Sequence, residues 1–188
     1  MATKAPTLPA AVPKGLFYRV VRALSTLCGI AASLMIVAAV AITCQMIYVR
    51  FVLNLSTVWQ TEVVVYLMVA ATMIGLPYVQ LVRGHVNVDL LPRLLPASMR
   101  VGLAVVVFGL SMAVVAVMTW HGYELWHIAW SRGWTSDTVW GAKLWVPYLA
   151  LPVGFGLYLL QLFADLLAVL TGQAKPFDLE DDATIGSV

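Results

Sequence analysis

The sequence predicts an all-α, polytopic membrane protein with four tilted transmembrane helices and a short interfacial segment between helices two and three. The first observation is composition: 62% of the 188 residues are hydrophobic and 11% are charged, against roughly 25% charged residues in soluble domains. The second is the distribution of charge, since about 20 apolar residues suffice for a helix to cross the hydrocarbon core. Four stretches have this length and almost no charge, namely residues 23–49, 63–82, 101–120 and 144–164.

Lysine and arginine are unevenly distributed over the connecting segments. Eight of the 11 lie in the two tails and in the segment between helices two and three, which share one side of a four-helix chain. Because positively charged segments are retained in the cytoplasm, both termini are expected to be cytoplasmic. The expected organisation is a flexible cytoplasmic tail (1–18), a four-helix membrane domain (19–172) and an acidic cytoplasmic tail (173–188).

Helix one is expected to run from about Arg19 to Val49. Its apolar stretch is longer than the ~7–15 residues of a signal-peptide core, so we expect a membrane anchor that is retained. Its two cysteines, Cys28 and Cys44, would lie about 24 Å apart along the helix, which is too far for a disulfide between them.

Helix two is expected to run from about Val58 to Leu81. The residues around its start, Thr-Val-Trp-Gln at 57–60, fit a capping box, in which the Thr57 hydroxyl and the Gln60 amide bond free N–H groups. Pro77 is expected to kink the helix near its end, because proline lacks the N–H group that the helix needs.

The segment after helix two is only partly polar. Residues 86–95 alternate valine and leucine with polar side chains, and two prolines preclude a long helix. A short segment lying flat at the cytoplasmic interface fits this pattern. Arg83 and Arg93 would then face lipid phosphates, and His85 would form a hydrogen-bonded pair with Asp89.

Helix three is expected to cover about Met99 to Trp120. The aromatic residues that follow have two possible roles: an aromatic belt where the bilayer meets water, which we favour, or stacking on a ligand. These residues recur at helical spacing and are Trp120, Tyr123, Trp126 and Trp130, with Trp134 and Trp140 beyond.

Helix four is expected over residues 144–170, with Pro147 and Pro152 in its first turns. Ala150 and Gly154 form a small-xxx-small pair, which would allow another helix to approach closely.

Two acidic side chains lie at membrane depth, where ionisable groups usually face a partner or a cavity. Glu62 is about one turn inside helix two, on the same face as Trp59 and Tyr66. Its carboxylate is either stabilised by the helix N-terminus or paired with Arg50, in the same chain or in another chain. Asp165 is expected to be a solvated or snorkelling residue near the cytoplasmic end of helix four.

The sequence contains no Gly-rich phosphate loop, CxxC, HExxH or GxSxG pattern. Haem ligation needs paired histidines deep in a bundle, whereas the three histidines lie in loops or at helix ends. A metal site from His121, His127 and Glu124 would require helix three to continue that far. We therefore predict no catalytic residue, metal or cofactor, and the net charge of +2 gives no reason to expect nucleic-acid binding.

Certain residues together suggest a known family. An arginine precedes helix two, a tryptophan with a nearby acid opens that helix, and a Gly-His-x-x-x-Asp segment follows it. These residues are Arg50, Trp59, Gln60, Glu62, Arg83, Gly84, His85 and Asp89. In this order they resemble the small membrane subunit of TRAP transporters, the DctQ family. Residues 138–152, with Trp145 and Pro147, resemble the family's last hairpin, so that the similarity covers about residues 19–170.

The resemblance implies a multi-pass subunit of the bacterial inner membrane that takes part in sodium-driven uptake of organic acids or related solutes. The implied partners are a large membrane subunit (as a heterodimer), a periplasmic solute-binding protein and membrane lipids. The large subunit would hold the solute and sodium sites and move as an elevator, and this chain would be its scaffold. Candidate partner-binding residues are Arg50, Trp59, Glu62 and Tyr66, and the interfacial loop motif is Arg83, Gly84, His85, Asp89 and Arg93.

Three other functions are open from the sequence. A small subunit of a tripartite tricarboxylate transporter would also have four helices. A redox anchor subunit would show a Soret band after purification. A structural membrane protein would have no transport partner.

Overall fold

A computed structural model describes residues 15–82 and 97–173 as helices joined by short connections. Four helical stretches are long and apolar enough to cross a membrane. Across the described ranges, the only β-type pairing is an isolated antiparallel bridge between Thr135 and Lys143. The predicted all-α membrane architecture is therefore confirmed. The four stretches are Leu16–Phe51, Val58–Leu81, Val101–Ser131 and Trp145–Leu170.

Some of the predicted features lie outside the described residues. They include residues 1–14, residues 174–188 and the whole predicted interfacial segment. The loop motif in that segment consists of Arg83, Gly84, His85, Asp89 and Arg93. Their predicted roles stay predictions.

The first two helices, α1 (Leu16–Phe51) and α2 (Val58–Leu81), pack against each other. The 36 residues of α1 span about 54 Å, which exceeds the ~30 Å hydrocarbon core, so α1 must tilt or extend beyond it. The chain turns between the helices at Asn54, whose φ of 51° is a left-handed conformation that asparagine tolerates well. The predicted start of α2 at Val58 is confirmed.

The predicted capping box is wrong. No side chain caps the start of α2 at Thr57, and Gln60 is only 2% exposed. The Thr61 hydroxyl instead donates to the Thr57 carbonyl oxygen at 3.1 Å. The pattern fails because the Gln60 side chain packs into the protein interior, so its amide does not bond the free N–H groups at the start of α2.

The third helix, α3 (Ala97–Ser131), continues well beyond the predicted end at Trp120. Its end is a Schellman-type cap, in which Gly133 has a φ of 61° and the Trp134 N–H donates to the Ala129 carbonyl at 3.0 Å. The aromatic residues thus lie on the last turns of a helix. The Trp130 ring makes an edge contact with Trp145, with ring centroids 4.6 Å apart.

The last membrane stretch is divided into a short helix, α4 (Trp145–Tyr148), and a long one, α5 (Ala150–Leu170). Pro152 has no N–H group to donate to the Tyr148 carbonyl four residues earlier, which accounts for the break at Leu149. The predicted span of helix four is confirmed, with this interruption.

The helices pack in the order α1, α2, α5, α3, with α5 in contact with all three of the others. Gly154 of α5 lies directly on the backbone of α2, because a Cβ atom at this position would be 2.5 Å from the Met73 carbonyl oxygen. The close approach expected from the Ala150–Gly154 pair is therefore present.

The outer helix α3 buries only a narrow stripe. Within residues 101–131 the buried positions recur at intervals of about two or three turns, and most of the remaining apolar side chains are exposed. In a membrane, these faces contact lipid or another subunit. The buried positions are Ala104, Val115, Gly122 and Ala129.

Candidate functional site

The candidate site lies at the end of the protein that carries the α1–α2 turn and the α3–α4 loop, here called the loop end. There the hydroxyl groups of three residues surround the carboxylate of Glu62. We call these four residues the Glu62 cluster, and they are Glu62, Tyr66, Ser136 and Thr138.

The Glu62 carboxylate is 9% exposed and accepts hydrogen bonds on both of its oxygens. The Ser136 hydroxyl donates to Oε1 at 2.7 Å, and the Thr138 hydroxyl donates to the same oxygen. The Tyr66 hydroxyl donates to Oε2 at 3.2 Å. Since a buried carboxylate is costly unless it is hydrogen-bonded, these three donors explain how a charge is accommodated at this depth.

The α3–α4 loop is folded so that it presents its hydroxyl groups to Glu62. The Ser136 N–H donates to the Ala142 carbonyl at 2.8 Å, and the Leu144 N–H donates to the Trp134 carbonyl at 3.0 Å. Gly141, with a φ of 60°, allows the tight turn between these bonds. Glu62 thus fastens a preformed loop to the start of α2.

The predicted residues divide into two groups. Glu62 and Tyr66 are brought together, as their spacing of four residues indicates. Trp59 is 44% exposed and Arg50, in the last turn of α1, is exposed as well. Both are therefore accessible to another molecule at the loop end.

The hypothesis of an Arg50–Glu62 salt bridge within the chain is wrong for the described residues. Glu62 bonds the hydroxyl groups of its own cluster, and no ion pair joins it to Arg50 in the described ranges. The reason is that hydroxyl groups of the α3–α4 loop, and not Arg50, bond the carboxylate. These partners are 74 and 76 residues away along the chain, so no local pattern could have identified them.

A second polar cluster joins α1, α2 and α5 at the opposite end, here called the terminal end. The buried Ser25 hydroxyl donates to Gln161 Oε1 at 2.8 Å. The amides of Gln161 and Gln80 donate to the two oxygens of Asp165, each at 2.9 Å. Asp165 is half-buried, so it keeps part of the exposure expected of a solvated or snorkelling residue, but the sequence did not indicate that two amides also bond it within the helix packing.

His121, His127 and Glu124, the set considered above as a possible metal site, are engaged in other contacts. The helix does continue past His127, as that site would require, but His127 stacks on Tyr123 with ring centroids 6.0 Å apart. His121 Nδ1 lies 3.0 Å from Glu124 Oε2, and both side chains are largely exposed. Among the described residues, no group of three potential ligands could hold a metal ion.

Comparison with known proteins identifies a family for this chain. The family model described as "Tripartite ATP-independent periplasmic transporters, DctQ component" matches residues 39–172, which is more than two thirds of the 188-residue chain. No curated protein matches the chain. The matched region includes the whole Glu62 cluster and the three amide and carboxylate members of the second cluster.

Proposed function

The chain belongs to the DctQ family of tripartite ATP-independent periplasmic (TRAP) transporters, and we propose that within such a transporter it is the scaffold for the large membrane subunit. Family membership makes it the small membrane component of a system that also contains a large membrane subunit and a solute-binding protein. It is a transporter component and not an enzyme. The family match favours this function over a tricarboxylate-transporter subunit or a redox anchor.

We further propose that the transporter lies in the bacterial inner membrane and uses a sodium gradient to take up organic acids or related solutes. Solute and sodium would bind to the large subunit, with which this chain forms a heterodimer. An elevator-type subunit moves its transport domain relative to a stationary element. A broader stationary element resists rotation in the bilayer, and that is the role proposed for this chain.

The scaffold proposal rests on the hydrogen bonds made by the two acidic side chains at membrane depth. Glu62 and Asp165 each accept hydrogen bonds from side chains on other elements of this chain. Ionisable groups in membrane helices are costly and generally functional, and here both hold the chain's own elements together. This arrangement is consistent with a rigid scaffold on which another subunit could rest.

We propose Arg50 and Trp59 as direct contacts with the large subunit. Both are exposed at the loop end, and tryptophan and arginine are enriched among the residues that contribute most to protein interfaces. Glu62 and Tyr66 would contribute to the same contact, with Glu62 also holding the neighbouring loop in place.

Co-purification with the large subunit tests this contact. We expect Trp59→Ala to weaken assembly by about thirtyfold, the effect of losing an interface centre worth ~2 kcal/mol, and Arg50→Ala to weaken it less. Trp140→Ala is the matched control, because Trp140 is 46% exposed at the same end. If Trp59→Ala assembles like the wild type while Trp140→Ala does not, the contact lies on the α3–α4 loop instead.

We propose that both termini are cytoplasmic and that the loop end faces the periplasm, as the distribution of lysine and arginine predicts. In a Cys28→Ala/Cys44→Ala background, single cysteines at Ser56 and Val139 should react with an impermeant maleimide in intact cells. Both positions are exposed, Val139 at 98%. A cysteine at Ser187 should react only after the cells are permeabilised, and the opposite labelling pattern would invert the topology.

A further inference from the structure

An open groove runs along the outer surface of α1 near the terminal end. Its volume is about 270 Å³, and it is formed mainly by α1 with one wall from α2. We call it the α1 groove. Its lining residues are Thr26, Gly29, Ile30, Ser33, Leu34, Val37 and Tyr78.

Gly29, which has no side chain, allows Tyr78 to form one wall of the groove. A Cβ atom at Gly29 would lie 2.4 Å from Cγ of Tyr78, so the Tyr78 ring rests directly on the α1 backbone and forms one wall. The opposite side consists of Ile30, Leu34 and Val37, which are 54%, 64% and 65% exposed.

The polar atoms of the α1 side of the groove are already satisfied. The Ser33 hydroxyl donates to the Gly29 carbonyl at 2.9 Å, and the Thr26 hydroxyl donates to the Arg22 carbonyl at 2.9 Å. The groove therefore offers an occupant mainly hydrocarbon contacts, as a lipid chain would require.

The length and charge of this face match one leaflet of a bilayer. Thr26 and Val37 are about 16 Å apart along the helix, close to half of the ~30 Å hydrocarbon core. Arg22 lies one turn before Thr26 on the same face, and Arg19 lies a further turn away. Arg22 is half-buried and Arg19 is exposed, and neither makes an ion pair with any described residue.

We propose that the α1 groove binds an anionic phospholipid, with one acyl chain along residues 26–37 and the phosphate near Arg22 and Arg19. A cation pair at the headgroup level of an apolar groove is complementary to such a lipid in both charge and length. A helix of the partner subunit would also cover apolar side chains, but it would need acidic residues of its own to match the charge of Arg19 and Arg22, which pair with no described residue.

The test uses the full-length chain, reconstituted in vesicles of phosphatidylcholine and phosphatidylglycerol and then extracted in detergent. Native mass spectrometry counts the retained lipids of each type. We expect Arg19→Gln/Arg22→Gln to reduce the preference for phosphatidylglycerol by up to about thirtyfold, at ~1 kcal/mol for each arginine. Arg132→Gln, an exposed arginine at the other end, should leave the preference unchanged.

A second variant tests the site for the acyl chain separately from the site for the headgroup. Leu34→Trp should fill the groove and lower retention of both lipids, whereas Leu27→Trp, also exposed (61%) but outside the groove, should not. Unchanged retention in Leu34→Trp, or an unchanged lipid preference in the double arginine variant, would overturn the proposal. If Leu34→Trp retained its lipid here but failed to co-purify with the large subunit in the separate assembly assay, the groove would be a protein contact and the lipid proposal would be overturned. Because lipid retention is measured on this chain alone, its failure would not affect the proposed transport function.

Discussion

Replacing Glu62 with alanine is expected to release the α3–α4 loop from the start of α2. The change removes the only carboxylate in the Glu62 cluster and leaves the hydroxyl groups of Ser136, Thr138 and Tyr66 without their acceptor. Backbone amides of the loop should then exchange with deuterium faster, by about tenfold, because local opening becomes easier. Hydrogen exchange of the full chain in lipid nanodiscs, followed over residues 132–144, measures this directly.

Further variants of Glu62 and its partners test whether faster exchange results from loss of these hydrogen bonds. Glu62→Gln keeps an acceptor oxygen and should show a smaller increase in exchange. Ser136→Ala/Thr138→Ala should reproduce the effect of Glu62→Ala, and adding Glu62→Ala to it should have little further effect, since the three residues form one network. Glu124→Ala is the control, because this acid is exposed and bonds only His121 among the described residues. Wild-type exchange in Glu62→Ala would contradict the role assigned to the cluster.

The second large effect is expected at Gly154. A methyl group there would lie 2.5 Å from the Met73 carbonyl oxygen and 2.6 Å from the carbonyl carbon, so backbone atoms of α2 would have to move. Such overpacking typically costs about 1–3 kcal/mol, which corresponds to a decrease of several degrees in the melting temperature. The melting temperature of the purified chain in detergent measures the effect.

Gly156 provides a matched control on the same helix. A methyl group at Gly156 would meet no atom within 4 Å, and alanine favours helix over glycine. Gly156→Ala should therefore melt at the wild-type temperature or slightly above it. If Gly154→Ala melts at the same temperature as Gly156→Ala, close contact between α5 and α2 does not determine the stability.

The sequence predicts the membrane helices well because each requires a long run without charge. Val58 is correctly predicted as the start of α2, and the small pair Ala150 and Gly154 correctly indicates a close helix approach. The end of α3 is not predictable in this way. The helix continues to Ser131 through a polar and aromatic stretch, which resembles a loop in composition but is held by regular backbone bonds and the cap at Gly133.

The polar clusters depend on tertiary contacts that a single sequence does not contain. Glu62 and Asp165 are recognisable as unusual because of their depth, but their partners are not. Ser136 is 74 residues from Glu62, and Gln80 is 85 residues from Asp165. The alternative in which Glu62 pairs with Arg50 of the same chain fails because closeness along the chain and opposite charge do not determine which groups meet in the fold; a pair with Arg50 of another chain stays a prediction.

Sodium-driven uptake into proteoliposomes tests the scaffold proposal most directly. The large subunit, the solute-binding protein and the solute would be supplied with and without this chain, and solute binding to each membrane subunit would be measured in parallel. We expect uptake to require this chain, while the large subunit alone retains sodium-dependent solute binding. Full uptake without this chain, or solute binding to this chain alone, would contradict the scaffold proposal.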